Sequence, residues 1–417
     1  MNSIVYLLYI KYKIKLMKKT LLLLLVVVLA AVYLFKRIFL KIIIKYIKPQ
    51  AYPVEDHPPN IDKLLEPIIY YKNLAGKNMR KLLTNNIGDK FNIPAILIEI
   101  TYDFIDDLHN ASLVIDDIQD GSTLRRNNKT SHLKFGIPMS IGASSLYIFK
   151  RIKDFKRRIN DTVDFTELSN KHSFILSPEH LQMKINNTLG DTLVDLIYFM
   201  NVGQQMDVYW TYKKIIPTID EYNYMVKNKT GKLFSVIIDI FNVLSSNITE
   251  KQYNEYSEIL GNVGLFYQIR DDYINLCDKE YWKLKGFCED FDEKKNSYII
   301  IKYCNEVDKT ERSKFLKLFY KPKLTKKDKI TLLKMINKTT IFDDTYEYLQ
   351  KLKVNAEKVG LPMEKLGFTP FNIKMAIEFS GNKLFQKVSI LRISDKRSGC
   401  FAPELKTLDK KHKHKKS

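Results

Sequence analysis

The sequence predicts an all-α protein, on three observations. Glycine (15) and proline (13) are scarce among 417 residues. No stretch between turn signals alternates apolar and polar residues with the two-residue period of a half-buried strand. The carboxylates that stand out in the chain fall at helical spacing. With 45% hydrophobic residues, the chain can bury one large core or two ordinary ones.

Residues 1–50 carry ten Lys/Arg and no acid. Within them Thr20 to Phe35 is uncharged over sixteen residues and flanked by Lys18-Lys19 and Lys36-Arg37. That is short of the roughly twenty residues a spanning helix needs, but lysine stems reach outward and Ile4 to Ile10 and Ile38 to Ile47 are also apolar. Residues 1–50 are therefore expected to anchor the chain in a membrane. The rival reading is a cleaved signal peptide, with Val28-Leu29-Ala30 as its cleavage site. Against it, the sequons Asn110-Ala111-Ser112 and Asn128-Lys129-Thr130 would place glycans on either side of the acidic motif described below. A cytosolic domain avoids that conflict. Five basic residues precede the apolar run and five follow it, so charge leaves the orientation open.

Pro49, Pro53, Pro58 and Pro59 make residues 51–60 an extended linker. The main domain is expected over 61–380, and 381–417 as a basic tail, disordered at its end. Of the net charge of +21, residues 1–50 supply +10 and residues 405–417 supply +5, leaving +6 for the body. The basic residues near the start are interleaved with aliphatic ones, which argues against nucleic acid as a partner. Cys277, Cys288, Cys304 and Cys400 form no CxxC pair and no metal-ligand spacing, so a reduced compartment is expected.

The chemistry concentrates in His109 to Tyr147. Asp116 and Asp120 share a helix face with Asp117 beside them, and Arg125-Arg126 follow. Like charges at i, i+4 weaken a bare helix. Either this is a solvated acidic helix end, or the carboxylates hold a hard divalent cation such as Mg²⁺. A second pair, Asp271-Asp272 with Asn275 one turn on, follows an apolar helical approach. Two such faces across one cavity could share cations that bridge to a diphosphate. Lys77 and Arg80, one helical turn apart, form a two-pronged cation site or a solvated basic face.

Six motifs stand in the order of a known family: GKNMR at Gly76 to Arg80, LHNASLVIDDIQD with LRR, GQQMDVYW at Gly203 to Trp210, NKTGKLF at Asn228 to Phe234, YQIRDDYIN, and KGFCEDFDEKK from Lys285 to Lys295. Over roughly Leu64 to Leu366 the chain resembles the trans-prenyl diphosphate synthases, and among them the eukaryotic geranylgeranyl diphosphate synthases. The resemblance implies the isoprenoid synthase fold, helices around a central cavity, assembled as a homodimer. It implies Mg²⁺ held by Asp116, Asp120 and Asp271, with Asp117, Asp272 and Lys229 among the catalytic residues. Isopentenyl diphosphate would be bound by Lys77, Arg80, His109 and Arg126. The allylic prenyl diphosphate would be bound by Arg125, Lys229, Thr230, Gln268, Lys285 and Lys295.

In this reading the allylic diphosphate leaves as pyrophosphate, the double bond of isopentenyl diphosphate attacks the resulting cation, and the pyrophosphate takes the proton. Small residues at Ala111 and Ser112 permit a chain longer than fifteen carbons, with Tyr147 either the floor beneath it or ordinary helix packing. Geranylgeranyl diphosphate is the expected product. The alternatives are a farnesyl diphosphate synthase, a terpene synthase on the same scaffold, a non-catalytic subunit, which would have damaged aspartate motifs, and a structural membrane protein, which would leave both motifs unexplained.

The chain departs from the family pattern in places. Asn127, Lys232 and Lys294 stand where the family has glycine, and Lys150 to Met183 is an insertion expected to form a solvated loop. Lys413 and Lys415 resemble a dilysine signal, which would place the anchored protein at the endoplasmic reticulum.

Overall fold

The computed structural model describes residues 32–38, 60–74, 79–126, 128–166, 177–245, 247–362 and 367–381. The chain divides into two units, Met1–Ile61 and Asp62–Ser417. Of the expected anchor, only residues 32–38 are described, as a short helix with exposed side chains. Among the described residues no helix is long and apolar enough to cross a membrane. The rest of the anchor, nearly all of the linker, and the tail beyond Gly381 lie outside them, as do Lys77, Asn127 and residues 167–176 of the insertion.

The second unit is helical, as its composition predicts. Its principal helices are α1 (Glu66–Lys72), α2 (Met79–Lys90), α3 (Ala95–Gln119), α4 (Ile137–Thr162), α5 (Pro178–Lys213), α6 (Ile219–Val226), α7 (Lys232–Leu244) and α8 (Glu250–Cys277). There follow α9 (Lys279–Lys285), α10 (Glu289–Glu293), α11 (Tyr298–Glu306), α12 (Lys309–Phe319), α13 (Lys326–Ile336), α14 (Ile341–Lys358) and α15 (Ile373–Gly381). One exception breaks the pattern. Leu124–Arg125 pairs antiparallel with Asn128–Lys129, with Arg125 opposite Asn128, a small hairpin that carries the arginine pair.

The starts of the helices are written into the sequence. Thr218 accepts from the Glu221 amide at 3.2 Å while the Glu221 carboxylate accepts from the Thr218 amide at 2.7 Å, and Thr249 with Gln252 and Thr325 with Asp328 repeat the exchange. The core centres on α7, buried on nearly every side from Leu233 to Leu244, and on α8, whose apolar residues from Ile259 to Cys277 pack around it.

α3 and α4 run antiparallel in a fixed register. The Ser144 hydroxyl donates to the Ala111 carbonyl at 2.9 Å, Arg151 pairs with Asp107 at 2.5 Å, Phe155 stacks on Phe104 at 4.4 Å, and Arg158 donates to Asp103 at 2.8 Å. This corrects the expectation of a loop from Lys150. Phe155 and Ile159, one turn apart and buried, extend α4 to Thr162; Arg151 and Arg158 pair with α3, while Lys150 and Arg157 pair with Asp154 of α4 itself.

Between α6 and α7 the helix widens into a π-turn, Lys227–Gly231. Two glycines let backbones meet there. A Cβ on Gly203 of α5 would lie 2.4 Å from the Lys229 amide nitrogen, and one on Gly264 of α8 would lie 2.3 Å from the Gly231 Cα. Neither position admits a side chain, so α5, the π-turn and α8 are held at backbone contact around Lys229 and Thr230.

Candidate active site

The two acidic motifs meet at that π-turn. Lys229 reaches from it to Asp116 at the end of α3 (3.2 Å) and to buried Asp207 on α5 (2.7 Å). The neighbouring Thr230 hydroxyl donates to the Gln268 carbonyl oxygen at 3.1 Å, and the Gln268 amide donates to Asp272 at 3.1 Å. Lys295 closes the far side, donating to Asp272 at 3.3 Å. It is also near enough to Asp116 to stabilise that carboxylate's charge. The α3 and α8 motifs, some 150 residues apart in the chain, thus share one electrostatic site.

Within each motif the carboxylates divide in two. Asp117 and Asp272, expected among the catalytic groups, turn inward and are fully satisfied by protein. Asp117 accepts from the Tyr71 hydroxyl and from Arg125, whose Nε lies 3.1 Å from both oxygens. Asp272 accepts from the Tyr222 hydroxyl at 2.7 Å and the Tyr298 amide at 2.9 Å, besides Gln268 and Lys295. These bonds position Arg125 and Lys295 and leave neither carboxylate facing the open side. Asn275 also departs from the sequence reading. It is buried, and its side chain accepts from the Asp290 amide at 3.3 Å.

Asp116 and Asp120 are half-buried and Asp271 is exposed. Burial would raise the Asp116 carboxyl, but Lys229, Arg125 and Lys295 outweigh it and hold it at about 2. Asp120 goes the other way: burial, then the charge of Asp116, pushes it well above the usual carboxylate range. Glu293 of α10 is pushed up to about 7, by burial first and then by Glu289 and Asp116. Asp271 is 53% exposed at the rim, beside Arg270 at 3.3 Å. Lys229 is held charged despite burial, by Asp116, Asp207 and Asp120.

Among the described residues no group of three His, Cys, Asp or Glu stands close enough to cage an ion alone. The donor set still fits a hard divalent cation. Oxygen ligands one turn apart, crowded until one resists ionisation, are what such an ion relieves, with a diphosphate supplying the remaining ligands.

A second cluster, rich in basic side chains, lies where α2, α3 and the hairpin converge. His109 feels the charges of Arg80 and Arg126, and Arg80 feels that of Arg126. Burial lowers Arg80 to about 10, and it pairs with Asp106 at 4.0 Å. His109 is kept neutral, its pKa driven well down by burial and then by Arg80, Arg125 and Arg126. Arg126 sits at φ 50° and donates to the Leu74 carbonyl at 2.6 Å. A left-handed non-glycine residue there is local strain, at the residue whose side chain reaches the segment just after α1.

Arg125 lies between the two clusters, 3.6 Å from Asp116. Lys285, at the end of α9, is close enough to Glu293 for its charge to lower that carboxyl's pKa.

The three chain-length candidates are separated. Ala111 is fully buried, and the Ser112 hydroxyl folds back to the His109 carbonyl at 2.9 Å. Tyr147 does not sit beneath the aspartates. Its hydroxyl accepts from Lys72 at 3.1 Å, and Lys72 and Arg151 both pair with Asp107 at 2.5 Å. Asp107 is nine residues before Asp116, which at 100° per residue is the opposite side of α3. Tyr147 belongs to the polar seam of α1, α3 and α4.

The sequence missed Tyr71 and Tyr222 altogether, because a phenol 46 or 50 residues from its carboxylate leaves no spacing signal. The pairing of Asp207 with Lys229, 22 residues on, leaves no spacing signal either.

Comparison with known proteins agrees with this geometry. The family model described as polyprenyl synthetase matches residues 61–336. A terpene synthase of Matsumurasca onukii is 32% identical over 311 residues, covering 74% of this chain and 90% of that protein. Talaropentaene synthase of Talaromyces verruculosus is 27% identical over 317 residues, covering 75% of this chain and 43% of that protein. The chain spans about two-fifths of the length of this and the similar fungal relatives. The crystal structure of geranylgeranyl pyrophosphate synthetase from Pyrococcus horikoshii Ot3 superposes with a TM-score of 0.57 at 24% identity, over 78% of this chain and 92% of that one, and so shares the fold. On the match over residues 61–336, and on the relative from Matsumurasca onukii, the chain belongs to the polyprenyl synthetase family.

Proposed function

We propose that the protein is an Mg²⁺-dependent enzyme that ionises an allylic prenyl diphosphate and joins it to isopentenyl diphosphate, giving geranylgeranyl diphosphate. The observation that carries this is the presence of two anion sites of different kinds. One mixes carboxylates with Lys229, Arg125 and Lys295. The other, made by Arg80, His109 and Arg126, has two guanidiniums and a neutral imidazole, with Asp106 4.0 Å from Arg80. An enzyme that only ionises a diphosphate uses the first. One that condenses two needs both.

Mg²⁺ held by Asp116, Asp120 and Asp271 would neutralise charge building on the leaving pyrophosphate. Lys229, kept protonated by its aspartates, and Lys295, aligned by Asp272, supply fixed positive charge to the same oxygens. Thr230 and Gln268, bonded to one another, place a hydroxyl and an amide beside them. Arg80, Arg126 and neutral His109 orient the second diphosphate. The apolar residues of α7 and α8 below exclude the water that would quench a carbocation. Small side chains at Ala111 and Ser112 support the longer product.

A second reading is favoured by one specific finding. The relative from Matsumurasca onukii, matched over 90% of its length, is named a terpene synthase, and the fungal relatives bear terpene synthase names too. On that reading the first site would ionise a prenyl diphosphate and release a hydrocarbon. Incubation with isopentenyl diphosphate, each allylic diphosphate in turn and Mg²⁺ separates them: a longer diphosphate supports condensation, and a hydrocarbon made without isopentenyl diphosphate supports the alternative. We also propose that residues 1–50 tether the enzyme to a membrane with its catalytic unit in the cytosol, and that it works as a homodimer. Flotation with liposomes of the full chain against one lacking residues 1–50 tests the first, and sedimentation tests the second.

A further inference from the structure

Tyr267 of α8 precedes Gln268, and its ring is packed like any core aromatic, stacked on Phe234 at 5.5 Å and 11°. Its hydroxyl is not accounted for. It is buried and, among the described residues, has no hydrogen-bond partner, and the same holds for the Nε of Arg80. A buried donor left unmatched destabilises a fold, and a phenylalanine would pack as well without it.

The two orphans belong to one place. Burial pushes the Tyr267 phenol up to about 12, and Arg270 and Arg80 are the cations close enough to pull it back, while Tyr267 in turn acts on Arg80. The phenol therefore lies within electrostatic range of the Arg80 guanidinium and stays protonated across the working pH range. Arg80 Nε can only donate, and a protonated phenol donates most strongly. What satisfies both is an acceptor between them, and beside His109 and Arg126 the acceptor that fits is an oxygen of a diphosphate.

We propose that the Tyr267 hydroxyl is a further ligand of the isopentenyl diphosphate, donating to an oxygen shared with Arg80. It rests on the condensing reading above. Being neutral, it adds a directed donor where His109 is also neutral, and it comes from α8, the helix that carries Asp271. The second diphosphate is thereby fixed relative to the metal-binding carboxylates by a single rigid element.

The test is calorimetric titration of the full-length protein and of its Tyr267→Phe variant with isopentenyl diphosphate, alongside steady-state kinetics and thermal melting. Loss of a hydrogen bond to a charged oxygen should weaken isopentenyl diphosphate binding roughly tenfold or more. The KM for the allylic substrate should be unchanged, and the melting temperature should be no lower than wild type, since the hydroxyl has no partner to lose among the described residues. Equal affinity in the two proteins overturns the role of Tyr267 and leaves the condensing reading standing. A drop in melting temperature that accompanies weaker binding of both substrates also overturns it, making Tyr267 structural. A wild-type protein that binds no isopentenyl diphosphate overturns the condensing reading itself, and this role with it.

Discussion

At the residue scale, the division of each aspartate pair into an outward ligand and an inward strut decides what substitutions do. Asp117→Asn keeps the shape but removes the charge that Arg125 and the Tyr71 hydroxyl are matched to. It should cost about 2–4 kcal/mol in chemical denaturation, because a buried arginine loses its counter-charge. Asp120→Asn is expected to leave stability unchanged or raised, since that carboxyl resists ionisation beside Asp116. His109 gives a pH signature. Its folded pKa lies well below 6.5, so as pH falls through about 6.5 the unfolded chain takes up a proton that the folded chain refuses. Stability present above that pH is lost below it, at up to about 1.36 kcal/mol per pH unit. His109→Gln lacks that proton, so it should gain stability relative to wild type between pH 7 and 5.5, as read by melting temperature.

At the scale of elements, the two described places where the family has glycine behave differently. Lys232 lies at φ −61°, ordinary helix, so lysine is tolerated there without strain. Lys294 caps α10 at φ 58°, a left-handed conformation that lysine enters at about 1–2 kcal/mol. Lys294→Gly should raise stability by about 1 kcal/mol, measured by denaturant midpoint at constant m-value. The strain lies next to Lys295, so relieving it should also alter the KM for the allylic diphosphate. Asn127 lies outside the described residues.

How far the elements were legible follows from the range of the forces that make them. Helix starts and the apolar face of α8 are local and can be read from the chain, whereas the straight run of α4 through Lys150 depends on aspartates of α3. Tyr147 shows the same limit. Its place was assigned from a resemblance, and the pairing of Lys72 and Arg151 with Asp107, residues distant in sequence, put it on the other side of α3.

For the whole molecule, the carboxylates, lysines and arginines arrive from α2, α3, α5, the π-turn, α8 and α10, so occupancy of the site should report on the entire fold. Mg²⁺ with inorganic pyrophosphate should raise the melting temperature of the wild-type protein, while either alone raises it less, because neither completes the other's ligands. The six ordered motifs made the site's membership legible, because chemistry restricts which residues can serve. Which carboxylate faces outward was not, since that depends on phenols and amides contributed by α1, α6 and α11.

The most direct measurement is product analysis by mass spectrometry after incubating the full-length protein with isopentenyl diphosphate, farnesyl diphosphate and Mg²⁺, beside its Asp116→Ala and Asp271→Ala variants. Geranylgeranyl diphosphate from the wild type, with a loss of at least about a hundredfold in rate for each variant, is the predicted result. An unchanged rate in either variant, or a hydrocarbon in place of the longer diphosphate, would contradict it.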